Sequence, residues 1–286
     1  MALPCVAPWA VRRGILNAPM VANVPLGFAR RVFTRLLFPS PAGYPRRVRN
    51  DERILGLRAT DGAIVHAVEV VGAAVPDTAP VLLFFHGNAD TAFADVPLAR
   101  SFAERGVRTF ALEYRGYGLS RHVARPSEAG LYADADALLA HVQARFPMAP
   151  LVLWGRSLGT GCAVELATRT RPLALVLISP YTSMHDMAQR FVRSSWAPTL
   201  ATAHFDNIGK APKISCPTLV VHGDSDRLIP LSMGRKLASQ LQRAELMVVV
   251  GGHHNDLFAK QGDTIVERAF RLVSAPGAGT AFEHAR

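Results

Sequence analysis

At 286 residues, 49% of them hydrophobic and 19% charged, the chain is long enough for one large α/β domain or two small ones, and its composition suits a folded, well-buried core. No uninterrupted apolar run reaches the ~18 residues that a membrane-spanning helix needs, and Cys5, Cys162 and Cys216 form neither a metal spacing nor a disulfide framework, which points to a reducing, cytoplasmic compartment. The net charge is +10, but residues 1–58 supply ten Arg against Asp51 and Glu52, so the rest of the chain, with 22 basic and 20 acidic side chains, is close to neutral and gives nucleic-acid binding little support.

Residues 1–50 contain eight Arg, several prolines and no Asp or Glu. Their apolar patches, Ile15–Phe28 and Val32–Phe38, are broken by Arg30, Arg31 and Arg35, so they lack the unbroken core and cleavage site of a secretory signal. This basic N-terminal arm is read in three ways: a cover for a sheet edge, an amphipathic segment in peripheral membrane contact, or an organelle transit peptide. Ile54–Thr60 and Ile64–Val71 flank Asp61-Gly62, the signal of a hairpin with a two-residue turn. Val81–Phe85 is apolar throughout, which predicts a central parallel strand. A helix from about Val96 to Arg105, a strand Val107–Leu112 and a loop Glu113–Ser120 follow. The next helix, Ser127–Phe146, has Ser127 as N-cap and Glu128 in its first turn, and stops before Pro147.

Leu151-Val152-Leu153-Trp154 then runs directly into Gly155-Arg156-Ser157-Leu158-Gly159, and a helical pattern through Cys162, Val164, Leu166 and Ala167 follows at once. Four apolar residues are too few for a helix of their own, so this reads as buried strand, sharp turn and helix. Glycines at 155 and 159 let strand and helix approach closely while Ser157 takes a strained backbone angle that exposes its hydroxyl at the strand end. Leu173–Ile178 is another buried strand. From Tyr181 to Pro212 the strand/helix alternation lapses, and Met184, Met187, Phe191, Trp196 and Phe205 are read as a short cap lining an acyl pocket. Strand Pro217–Val221, helix Leu231–Leu241, strand Glu245–Val250 and helix Thr264–Val273 restore the alternation, and the tail from Ala275 is read as disordered. The predicted fold is α/β: an opening antiparallel hairpin, then a mostly parallel central sheet with helices on both faces, one domain over residues 51–274 with a cap-like insertion at 181–212.

An alcohol is a poor nucleophile at neutral pH, so Ser157 needs a general base, and the base needs a carboxylate to fix its tautomer. Both belong at strand ends on the serine's edge of the sheet. The strand through Val221 ends in His222-Gly223-Asp224-Ser225-Asp226, and the last strand ends in Gly251-Gly252-His253-His254-Asn255-Asp256. Serine, acid and histidine thus occur in that chain order, an order belonging to one fold among the users of this triad.

From residue 52 to 274 the chain resembles the α/β-hydrolase superfamily. His86-Gly87-Asn88, Tyr114-Arg115-Gly116-Tyr117-Gly118, Gly155–Gly159, Ser179-Pro180-Tyr181-Thr182-Ser183 and His254-Asn255-Asp256 are similar to the branch of depalmitoylase-like serine hydrolases acting on acyl esters and thioesters. The resemblance implies Asp226 as the acid, four residues before Pro230, with Asp224 as the alternative and otherwise a turn residue. It implies His254 as the base, with His253 standing where the branch often has glycine and remaining the alternative. Oxyanion donors are expected at the backbone N–H of Leu158, where the helix behind Ser157 begins, and, by the resemblance, at the Asn88 amide. His86 is read as a structural histidine holding that loop, and the Tyr114–Gly118 segment as a buttress for its neighbours. Arg156 is expected beside the site without touching substrate. No metal or organic cofactor is implied. The expected partner is a small-molecule acyl ester or thioester, lipid-like in view of the apolar cap and basic arm; a peptidase or amidase on the same triad, and a silent α/β-hydrolase scaffold, are the alternatives.

Overall fold

A computed structural model describes residues 38, 48–72, 74–191 and 203–274. The basic arm therefore lies outside the described residues except for Phe38 and Val48–Asn50, as do the tail from 275 and residues 192–202 of the expected cap.

Among the described residues eight strands form one sheet: β1 (Glu52–Arg58), β2 (Ile64–Val70), β3 (Val81–Phe85), β4 (Arg108–Glu113), β5 (Leu151–Arg156), β6 (Ala174–Ile178), β7 (Thr218–Gly223) and β8 (Ala244–Val249), in the order β1-β2-β4-β3-β5-β6-β7-β8. β1 pairs antiparallel with β2 and β2 with β4, and the other five pairings are parallel. The helices are α1 (Ala92–Ala103), α2 (Glu128–Arg145), α3 (Gly159–Thr170), α4 (Met184–Phe191), α5 (Leu231–Gln240) and α6 (Leu257–Ser274), with a single helical turn at Asn207–Lys210.

Every residue of β3 and β6 is buried, as continuous apolar runs require when helices cover both faces. The period-two alternation sorts their side chains. Leu83, Phe85, Leu153 and Leu177 join Leu131 and Leu138 of α2, Leu166 of α3 and Leu237 of α5. Leu82, Phe84, Trp154 and Val176 join Val96 and Phe102 of α1 and Ile265 and Ala269 of α6 on the opposite face.

From β3 the chain winds outward to β4, then returns to lay β5 on the other side of β3. The order of winding thus reverses between β3 and β5, and the crevice beyond their carboxyl ends is where open α/β sheets bind ligands. Its two walls are the loop His86-Gly87-Asn88 and the turn at Ser157.

Three boundaries depart from the sequence expectation. The opening hairpin turns on three residues, Thr60-Asp61-Gly62: the Ala59 N–H donates to Ala63 O at 2.8 Å, and Gly62 takes the left-handed φ of 85° that a three-residue loop demands. Helix α1 begins at Ala92, four residues before Val96, and keeps Pro97 inside it. Pro97 is exposed and costs one helical hydrogen bond, while Ala92, Val96, Ala99, Phe102 and Ala103 bury one continuous face, which outweighs that loss. Helix α6 begins at Leu257, seven residues before Thr264, because it continues across a kink at Gln261 (φ −140°, ψ 33°) with Leu257 buried against the sheet.

Candidate active site

Ser157 has φ 50°, in the left-handed region that a non-glycine residue occupies only when its surroundings hold it there. They do so from both sides: the Ser157 N–H donates to Ile178 O at 2.9 Å, and the Thr160 hydroxyl donates to Ser157 O at 2.6 Å. The flanking glycines are obligatory. A Cβ on Gly159 would lie 2.0 Å from Phe85 O, and one on Gly155 would lie 2.6 Å from Gly159 O. The turn can exist only because α3 crosses β3 and β5 at backbone contact.

The structure brings three of the expected side chains together. His254 Nε2 lies 3.0 Å from Ser157 Oγ, and His254 Nδ1 lies 2.8 Å from Asp226 Oδ2. A carboxylate on Nδ1 fixes the hydrogen there, so Nε2 presents a lone pair to the serine hydroxyl. Asp226 Oδ1 accepts the N–H groups of Leu228 and Ile229, each at 2.9 Å. Burial pushes the Asp226 carboxyl up, but the His254 hydrogen bond and charge, the Ile229 N–H and the neighbouring His222 outweigh it and hold the group below its ordinary value. The acid therefore stays ionised although its side chain is fully buried.

The alternatives point elsewhere. Asp224 Oδ1 accepts the Ser225 hydroxyl at 3.0 Å and the Gly251 N–H at 2.8 Å, binding the loop after β7 to the loop after β8. His253 donates its backbone N–H to Asp256 Oδ1 at 2.6 Å and turns its exposed ring toward Ser225 O, 2.9 Å from Nδ1.

Across the crevice, Gly87 passes against the serine, and a Cβ there would be 3.5 Å from Ser157 Cβ. The Asn88 carboxamide is engaged within its own wall: its Oδ1 accepts the Tyr117 hydroxyl at 2.7 Å and the Ala89 N–H at 3.1 Å. Leu158 is the N-cap of α3, and the opening turn of the helix closes through the Thr160 and Gly161 N–H groups, which donate to Ser157 O and Leu158 O at 3.0 Å. His86, fully buried, has Nδ1 2.8 Å from Gly87 O and Nε2 3.3 Å from Glu113 Oε1. Behind this pair, burial raises the Asp95 carboxyl to about 7, with Glu113 adding to the rise and His86 opposing it.

Several contributors had no sequence signal strong enough to single them out. Tyr117 braces Asn88, as the buttress reading of its segment allowed in general terms. An ion pair between Arg156 and Asp90 ties the strand before the serine to the loop after Asn88. His222 stands beside Asp226, its Nε2 3.7 Å from Oδ2. Met184, Met187 and Phe205 of the expected cap are buried with the α2–α3 face of the core, whereas Trp196 and the Phe191 side chain lie outside the described residues.

Users of a serine, histidine and carboxylate differ in the order in which the chain supplies them, and serine, acid, histidine on successive strand ends of one parallel sheet belongs to a single fold. The chain has the α/β-hydrolase fold. The family model described as serine aminopeptidase, S33, matches residues 76–207. Among curated relatives, the lysophosphatidylserine lipase ABHD12 of Xenopus tropicalis is 35% identical over 178 residues, covering 55% of this chain and 46% of the relative. The alpha/beta hydrolase domain-containing protein 17B of the same organism is 35% identical over 190 residues, covering 64% of this chain and 62% of the relative. The chain thus spans less than two thirds of the curated relatives it matches. Of solved structures, the Pyrococcus furiosus esterase Pf2001 superposes with a TM-score of 0.67 at 12% identity, covering 82% of this chain and 98% of that one. Est1E from Butyrivibrio proteoclasticus gives 0.63 at 16% identity, covering 77% and 99%. At these identities the solved structures share the fold. Among the described residues no helix is long and apolar enough to cross a membrane.

Proposed function

We propose that the protein is a serine hydrolase that cleaves carboxylic esters or thioesters through an acyl-enzyme on Ser157. The observation that carries this reading is the unbroken chain of contacts from Ser157 Oγ through both nitrogens of His254 to Asp226 Oδ2, at 3.0 and 2.8 Å. Ser157 Oγ attacks the acyl carbonyl while His254 Nε2 takes its proton, and Asp226 stabilises the imidazolium that results. The Leu158 and Asn88 N–H groups hold the negative oxygen of the tetrahedral adduct. Its collapse breaks the bond to the alkoxide or thiolate, which leaves with the proton from His254. Water then attacks the acyl-enzyme, His254 takes its proton and returns it to Ser157, and the free acid departs. No step calls for a metal or an organic cofactor.

The substrate class we favour is an acyl ester or thioester with an apolar, lipid-like acyl group. One curated relative is named a lysophosphatidylserine lipase. We read residues 51–274 as the hydrolase domain with its cap at 181–212, and the ten arginines within residues 1–58 as suited to the peripheral surface of an anionic membrane from the cytoplasmic side. The aminopeptidase in the matching family's description favours a second reading, an amidase on the same three side chains.

Reaction of the full chain with a fluorophosphonate probe tests the mechanism: wild type is labelled, and Ser157→Ala is not. Failure of soluble wild type to react sinks the enzyme reading and leaves a binding scaffold. A series of p-nitrophenyl esters of rising acyl length, run beside an acyl thioester and an amide, then tests the substrate class. Preference for the longer acyl groups is expected; turnover of short esters alone overturns the lipid reading, and a preference for the amide selects the second.

A further inference from the structure

We infer that His222 is a positioning residue for the acid: its Nε2–H closes the turn that aims the Asp226 carboxylate at His254. This rests on the proposed hydrolase reading. His222 is the fifth residue of β7, its side chain fully buried, and Nε2 lies 2.8 Å from Ile229 O, seven residues on. A ring nitrogen facing a carbonyl must carry the hydrogen, so Nε2 donates. Ile229 is then held at both ends of its backbone: its N–H donates to Asp226 Oδ1 at 2.9 Å and its carbonyl accepts from His222. With Oδ1 committed to Leu228 and Ile229, only Oδ2 is left to face His254, at 2.8 Å.

Two further observations separate this role from plain core filling. The other ring nitrogen, Nδ1, is buried with no hydrogen-bond partner among the described residues, so the imidazole carries an uncompensated polar atom that a leucine of similar bulk would not. What the ring supplies in return is the Nε2–H. Helix α5 also makes room for it, since a Cβ on Gly234 would lie 2.4 Å from His222 Nδ1.

The titratable neighbours are Asp226, whose Oδ2 is 3.7 Å from His222 Nε2, and His254 beyond it. Burial holds the His222 pKa below that of an ordinary histidine, against the pull of the Ile229 carbonyl and Asp226 and with the help of His254. The ring is therefore neutral where His254 would work, and does not compete as a second imidazolium for the Asp226 charge.

The test exploits the two nitrogens. In His222→Gln the terminal amide reaches the position of Nε2 and can donate to Ile229 O. In His222→Asn the shorter amide reaches only the position of Nδ1, and His222→Leu keeps the bulk without a donor. Loss of the closing bond lets the carboxylate drift, and a misplacement of ~1 Å costs on the order of 10²-fold in kcat, with KM little changed. A drifting carboxylate also stabilises the His254 imidazolium less, so the acid limb of kcat/KM moves to lower pH. Asn and Leu are expected to show both effects, and Gln to stay within about fivefold of wild type with the acid limb restored. The downfield proton resonance of His254 Nδ1–H reports the Asp226 contact without turnover, and is expected in wild type and Gln and absent in Asn and Leu. Wild-type kcat and acid limb in His222→Leu, or equal losses in Gln, Asn and Leu with that resonance intact, would overturn the inference. Should wild type fail to react with the fluorophosphonate, the hydrolase reading falls, and the resonance alone decides whether His222 aims the carboxylate. If Leu fails to fold, the Gln/Asn pair still decides.

Discussion

Gly159→Ala should disable the site from within the turn that carries the serine. The added methyl would sit 2.0 Å from Phe85 O, 2.5 Å from Phe85 C and 2.7 Å from His86 O. These are backbone atoms at the carboxyl end of β3, so no side chain can swing aside. To bring the closest contact out to 3.0 Å, a distance real Cβ atoms essentially never undercut, α3 and the end of β3 must part by at least 1 Å. That gap opens between the two walls that carry Ser157 and the Asn88 N–H, so the serine and one of the proposed oxyanion donors separate by about the same amount. A misplacement of ~1 Å costs on the order of 10²-fold in rate, and overpacking of this kind costs about 1–3 kcal/mol in stability. The assay is fluorophosphonate labelling rate and p-nitrophenyl ester turnover, beside urea unfolding. Gly56→Ala is the control, because its Cβ would meet only Ile64 Cγ2 at 3.8 Å. Labelling of Gly159→Ala within threefold of wild type would show that the site does not depend on the contact between α3 and β3, and would refute the reasoning.

Three other expectations can be checked directly. With its folded value raised to about 7 against 3.8, Asp95 keeps its proton in the folded protein and loses it in the unfolded chain, so its contribution to stability falls as pH rises from about 4 to about 7 and stays lost above that. Asp95→Asn should therefore stabilise the fold at pH 8, by up to about 4 kcal/mol in urea unfolding, and much less at pH 4, and an equal gain at both pH values would contradict this. Arg115→Met strands the buried Asp134 carboxylate, which now accepts Arg115 Nε at 2.9 Å and Nη2 at 2.7 Å; a loss of about 3–5 kcal/mol in urea unfolding is expected, and a loss below ~1 kcal/mol would show that the pair contributes nothing net. His253→Ala should label with fluorophosphonate at near the wild-type rate while His254→Ala loses labelling, and the reverse pattern would make His253 the base.

How much of this was legible beforehand follows from what each feature depends on. The continuous run Val81–Phe85, the alternating elements after it and the glycines about Ser157 are local statements, and local statements survive into the fold. Helix α1 shows the limit: the sequence pattern predicts a start near Val96, and only the buried face from Ala92 to Ala103 explains why the helix begins earlier. The site shows it again. Asp224 and Asp226, or His253 and His254, cannot be told apart by type or by spacing from a strand.

By itself, the order of residues determined that a serine, a carboxylate and a histidine would each follow a strand of one parallel sheet, because apolar periodicity sets the strands and chain order sets their succession. The tertiary structure decided which carboxylate and which imidazole meet. Neighbouring residues leave a turn in different directions, and those directions are set by contacts between loops distant in sequence. The Gly251 N–H on Asp224, the Ser225 N–H on Gly252 O at 3.0 Å and the Asp256 carboxylate on the His253 N–H orient the two loops. That arrangement turns His254, and not His253, toward Asp226 and Ser157.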